Sequence, residues 1–132
     1  MSHKVRRLGP ADAAAMHALN LLFAAAFDDR DTYAARPSEA YFRRTLARDD
    51  VVVLVAERDG ETTGGLVAYR LDKLEQERSE LYIYDLAVAE PHRCTGIATA
   101  LIDELRRIAA ACGAWVIYVQ AFFNDTATTE IY

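Results

Sequence analysis

The chain has 132 residues, of which 52% are hydrophobic and 27% charged, with a formal net charge of −5. That balance suits one globular domain with its own core and excludes a disordered chain. The negative charge argues against a nucleic-acid partner, no apolar run reaches bilayer length, and Cys94, Cys112 and the three histidines show no metal-ligand spacing.

The segment Met1 to Arg7 is charged with no apolar stretch behind it. No secretory signal is therefore expected, and the cytoplasm is the default compartment. Val5 to Leu8 reads as a first strand, and Pro10 is placed to open a helix running to about Phe27. Asp28 to Pro37 is polar and closes on a proline, which predicts a loop. Ser38 is a candidate N-cap for a second helix reaching about Arg48. From Val51 the pattern changes to the β-branched run Val51 to Ala56, then Asp59-Gly60 as a hairpin signal, then a strand over Gly65 to Leu71. Leu81 to Val88 is a further strand. Gly96 opens a helix with Ile97, Leu101, Leu105, Ile108 and Cys112 on one apolar stripe, closed by Gly113. Trp115 to Gln120 is the last strand read from the pattern. The order β-α-α-β-β-β-α-β predicts an α/β (α+β) domain.

Chemistry concentrates where the strand ending at Val88 passes through Glu90-Pro91-His92-Arg93-Cys94-Thr95 into the helix after Gly96. A helix N-terminus presents unpaired N–H groups and the positive end of its dipole, so such a junction suits a diphosphate. Gly96 permits close approach, Arg93 adds charge, and small Ala98 lets the helix sit near the sheet. A plain strand-to-helix turn fits the same spacing, because short glycine patterns carry little information alone.

Arg93-x-x-Gly96-x-Ala98 resembles the coenzyme A signature of the GNAT N-acetyltransferases. The stretches Ser79 to Val88, Gly96 to Ile102 and Gly113 to Ala121 look like the type I aminoglycoside 3-N-acetyltransferases. So do Arg7 to Pro10, Thr32-Tyr33 and Lys73 to Gln76, giving a likeness over residues 5 to 121. Cys94 and Thr95 stand where that family commonly has a second basic residue and Gln. The resemblance implies a mixed, mostly antiparallel sheet flanked by helices, whose fourth and fifth strands splay apart. It implies acetyl-CoA as co-substrate, no metal, and transfer to an aminoglycoside amine, a reaction that gives antibiotic resistance. A GNAT enzyme for another amine, such as a polyamine or peptide, and an inactive CoA-binding fragment are the alternatives. Family members often pair as dimers, so a homodimer is a further expectation.

By the same resemblance Leu86, Ala87 and Val88 supply main-chain contacts to the pantetheine arm, and Arg93, Cys94, Thr95, Gly96, Ile97, Ala98 and Thr99 hold the phosphates. Transfer in this family is direct, which leaves Cys94 a loop residue beside the phosphates rather than a nucleophile. One amide N–H of the strand would stabilise the developing oxyanion. The attacking amine must lose a proton, and Asp85 is the first candidate to take it, with Glu80 and Tyr84 behind it. Strict alternation puts Tyr84 and Asp85 on opposite faces, so both line one cleft only if the strand bulges. Asp28, Asp29 and Asp31, with Asp72, Glu75, Glu77 and Glu80, are expected to form two acidic walls for a cationic substrate.

Asn124 to Tyr132 match the translation of a common sequencing-library adapter. Residues 1–121 are thus expected to be an incomplete acetyltransferase domain lacking the C-terminal strands, and residues 122–132 a foreign tail. On that reading the fifth strand lacks its outer partner, and Tyr132 falls only by coincidence where the family places a general-acid tyrosine.

Overall fold

The computed structural model describes residues 3–33, 35–122 and 126–131, with backbone alone from residue 120 onward. Strand β1 spans Lys4–Arg7, followed by helices α1 (Ala13–Ala26), α2 (Arg30–Tyr33) and α3 (Glu39–Leu46). Strands β2 (Val51–Arg58), β3 (Glu61–Asp72) and β4 (Ser79–Val88) come next, then a 3-10 turn at Glu90–His92. Helix α4 (Ile97–Cys112) and strands β5 (Val116–Phe122) and β6 (Thr126–Ile131) complete the described chain.

Two boundaries differ from the sequence reading for local reasons. Helix α1 begins three residues after Pro10, because the Asp12 carboxylate accepts from the Gly9 N–H at 2.7 Å and the Asp12 N–H bonds back to the Gly9 carbonyl. That turn holds Pro10 outside the helix. The stretch expected to be all loop contains α2, nucleated where the Asp29 carboxylate accepts from both the N–H and the hydroxyl of Thr32. Ser38 caps α3 as expected, its hydroxyl oxygen accepting from the Tyr41 N–H. Asp59 and Gly60 turn the β2–β3 hairpin with φ of 52° and 79°.

The six strands lie in sequence order in one sheet. Every neighbouring pair is antiparallel except β4–β5, which α4 joins as a parallel crossover. Val52, Leu54 and Ala56 of β2 face a core built on α4 with Leu66, Ile83, Leu101 and Leu105. Val51, Val53 and Val55 face the opposite way, onto Leu19 and Phe23 of α1 and Phe42 of α3. Burial on both faces explains why β2 is an unbroken apolar run instead of alternating. The mixed, mostly antiparallel sheet flanked by helices is the fold class expected. The fifth strand, however, is not left bare. β5 pairs antiparallel with β6 from Ile117↔Ile131 to Phe122↔Thr126, so the residues read as a tail supply its outer partner.

Candidate functional site

Strand β4 builds the site. Its pairing with β5 runs only from Glu80↔Val116 to Ile83↔Val119, and beyond Ile83 the two strands part. On its other side, β4 pairs with β3 through a register shift, Ala68 facing Ile83 and Val67 facing Asp85. Tyr84 is the extra residue of a β-bulge at that step. A bulge breaks alternation. Leu81 and Ile83 pack toward α4, while Tyr84 and Asp85, consecutive in sequence, both line one cavity on the α1–α3 side.

That cavity holds about 170 Å3, walled by Met16 and Asn20 of α1, Tyr41 and Thr45 of α3, and Tyr69 of β3. Asp85 is its one carboxylate, and none of the described residues lining it is cationic. Asp85 is half-buried, and burial pushes its carboxyl above the usual aspartate range, opposed by a hydrogen bond from Tyr33. The Tyr33 hydroxyl donates to Asp85 Oδ1 at 2.8 Å. Burial first, then the bond to Asp85, holds that phenol protonated well beyond the ordinary tyrosine range. Tyr69 and Tyr84 meet edge-on at 5.8 Å beside the carboxylate.

Immediately past Asp85 a second cleft of about 460 Å3 opens along Leu86, Ala87 and Val88, and runs to Arg93, Cys94 and the first turn of α4 from Gly96 to Thr99. Gly96 is the N-cap, with φ of 86° and no side-chain cap, so the N–H groups of the first turn of α4 have no side-chain acceptor there. A Cβ on Gly96 would meet nothing within 4 Å, so the site there is open space. Arg93 is tied to the strand it follows, its Nε donating to the Val88 carbonyl at 3.2 Å. Open first-turn amides, a guanidinium and an unpaired strand edge in one line suit a long anionic carrier ending in a diphosphate.

Of the residues expected to contact that carrier, Leu86, Ala87, Val88, Arg93, Cys94, Gly96, Ile97, Ala98 and Thr99 line the second cleft. Thr95 does not, its hydroxyl being bonded to the His92 carbonyl within the turn. Glu80 lies five residues before Asp85 on β4, outside the cavity that Asp85 lines, and is bound to Arg78 at 3.3 Å and to Lys73 at 3.9 Å. The expected second acidic wall is largely compensated, since Asp72 faces Arg70 and Glu75 shares Lys73 with Glu80. Asp29 is used in the α2 turn. Tyr33 was missed as a site residue because only the fold brings it to Asp85, 52 residues away. Tyr132 lies outside the described residues. Among the described residues no group of three or more His, Cys, Asp or Glu could hold a metal, and no helix is long and apolar enough to cross a membrane.

Compared with known proteins, residues 14–132 match the acetyltransferase (GNAT) family. The structure resembles that of an aminoglycoside acetyltransferase from an uncultured soil metagenomic sample. The two share 54% identity and a TM-score of 0.90, over 92% of this chain and 81% of the other. A second aminoglycoside acetyltransferase from such a sample, solved in complex with sisomicin, shares 29% identity with a TM-score of 0.84, over 91% and 78%. AAC(6')-Iy, bound to a bisubstrate analogue of CoA and acetylneamine, has a TM-score of 0.74 over 95% and 83%, and at 15% identity shares the fold alone. No curated protein matches by sequence.

Proposed function

We propose, from the premise that the chain belongs to the acetyltransferase (GNAT) family, that its acceptor is an aminoglycoside antibiotic acetylated at the 3-N position. The enzyme is an acetyl-CoA-dependent N-acetyltransferase. Resistance to the antibiotic follows from blocking an amine, and a cytoplasmic location suits a reaction that draws on acetyl-CoA.

The observation that carries this reading is the bulge at Tyr84, which turns Asp85 into the acceptor cavity one residue before the carrier cleft begins. Acetyl-CoA supplies the acetyl group as a thioester, whose C–S bond breaks as the amine nitrogen bonds to the carbonyl carbon. The first turn of α4 and Arg93 grip the diphosphate end. The β5-side edge of β4 past Ile83, unpaired among the described residues, presents main-chain groups to the pantetheine arm and a donor to the carbonyl oxygen. Asp85 takes the proton that the attacking amine must lose, directly or through a water, and its raised proton affinity makes it a stronger base than a free aspartate. Tyr84 and Tyr69, in edge contact with each other, place aromatic rings in the same cavity as that carboxylate, where a cationic sugar would meet them. Glu80, held by Lys73 and Arg78, anchors the start of β4 rather than touching substrate.

An aminoglycoside acceptor is supported by the similarity to the soil acetyltransferases. The test is release of free thiol from acetyl-CoA with gentamicin, spermidine and an amino-terminal peptide as separate acceptors, and NMR of the product to place the acetyl group. Turnover confined to gentamicin, with acetyl on the 3-amine, is expected. Turnover only with spermidine or the peptide would replace this acceptor.

A further inference from the structure

We infer that Tyr33 is a positioning residue for the transfer step, fixing the Asp85 carboxylate so that one oxygen is bound and the other faces the acceptor amine. The inference rests on the reading of Asp85 as the proton acceptor, and adds a group from a segment that the sequence pattern assigned to a plain loop.

Three observations carry it. The Tyr33 hydroxyl donates to Asp85 Oδ1 at 2.8 Å. Its ring is itself held, standing 5.7 Å from both Phe23 and Phe27, which stack on each other at the end of α1. The turn that carries Tyr33 is clipped by the Asp29–Thr32 bonds, so the phenol reaches Asp85 from a fixed base. A hydroxyl can donate one hydrogen bond, and Tyr33 donates its own to the carboxylate. Oδ1 is thereby engaged, while Oδ2 remains for the amine proton as nitrogen attacks and the thiolate leaves. The other tyrosines lining the cavity with Asp85 are Tyr41 of α3, Tyr69 of β3 and Tyr84 beside it on β4, and no cation lines the cavity among the described residues. Tyr33 is the group whose bond favours the ionised carboxylate against its burial.

The experiment is a pH profile of kcat and kcat/KM for the full chain and its Tyr33→Phe variant with acetyl-CoA and gentamicin, with Asp85→Asn alongside. The phenyl ring keeps the contacts with Phe23 and Phe27 and removes only the hydroxyl. The acid limb of Tyr33→Phe is expected to move up by roughly one pH unit. Below the new limb kcat should drop several-fold, while affinity for coenzyme A stays the same. NMR titration of the Asp85 carboxyl carbon in both proteins reads the same displacement without turnover. An unmoved limb and an unmoved titration, with Asp85→Asn inactive, would remove Tyr33 and leave Asp85 in place. Wild-type turnover in Asp85→Asn would remove the reading beneath it.

Discussion

Cδ1 of Leu19 occupies the place that a Cβ on Gly65 would take. Leu19 is fully buried at the centre of α1, and Gly65 lies on β3 opposite Ala87 of β4. The glycine thus lets α1 lie directly on the sheet, and α1 brings Met16 and Asn20 to the wall of the acceptor cavity. Substituting Gly65→Ala forces a buried leucine to move. The expected cost is about 1–3 kcal/mol, read by denaturant unfolding, together with a raised KM for the acceptor as α1 lifts.

Asp85→Asn keeps the shape and an oxygen for the Tyr33 hydroxyl but cannot take a proton. A loss of about 10²–10⁴ in kcat is expected, with coenzyme A affinity unchanged. Because burial raises the Asp85 pKa, the acid limb of the wild-type profile should lie above 3.8, the value of a free aspartate. The sign for stability is opposite to that for activity. A carboxyl whose folded pKa is raised holds its proton more tightly when folded, so its contribution falls as pH climbs from the unfolded to the folded value. Asp85→Asn should therefore be at least as stable as wild type at neutral pH, measured by thermal unfolding.

Glu80→Gln separates an anchor from a catalyst. Glu80 is 12% exposed and paired with two partly exposed cations. Its loss should cost about 1 kcal/mol in denaturant unfolding and leave the acid limb of kcat/KM in place. Movement of that limb would return Glu80 to the proton path.

Ser38→Ala removes the one side-chain cap of α3, whose Tyr41 and Thr45 line the acceptor cavity. About 1 kcal/mol of stability should be lost, seen as a lowered denaturation midpoint.

Much of the carrier cleft could be read along the chain because it is local. The strand ending at Val88, the turn and the helix after Gly96 are contiguous, and Gly96 adopts the positive φ that its residue type permits. The bulge was legible only as a condition, since alternation alone separates Tyr84 from Asp85. The acceptor side is different in kind. Tyr33 meets Asp85 across 52 residues, and the pattern of a polar, proline-ended segment carries no trace of that bond. The acidic residues before β4 looked like a wall because composition counts charges without their partners. Lys73, Arg70 and Arg78 fold back onto them. The pairing of β6 on β5 was equally unseen, because residues 122–132 read as a foreign tail and so as no part of the sheet.

The most direct measurement is calorimetric titration of coenzyme A into the chain and into its Gly96→Val variant. Saturable one-site binding to the first is expected. A branched side chain at φ of 86° strains the turn and crowds the open first-turn amides, so binding to the second should be at least roughly ten-fold weaker. Absence of heat with the unaltered chain, or equal affinity in both, would contradict it.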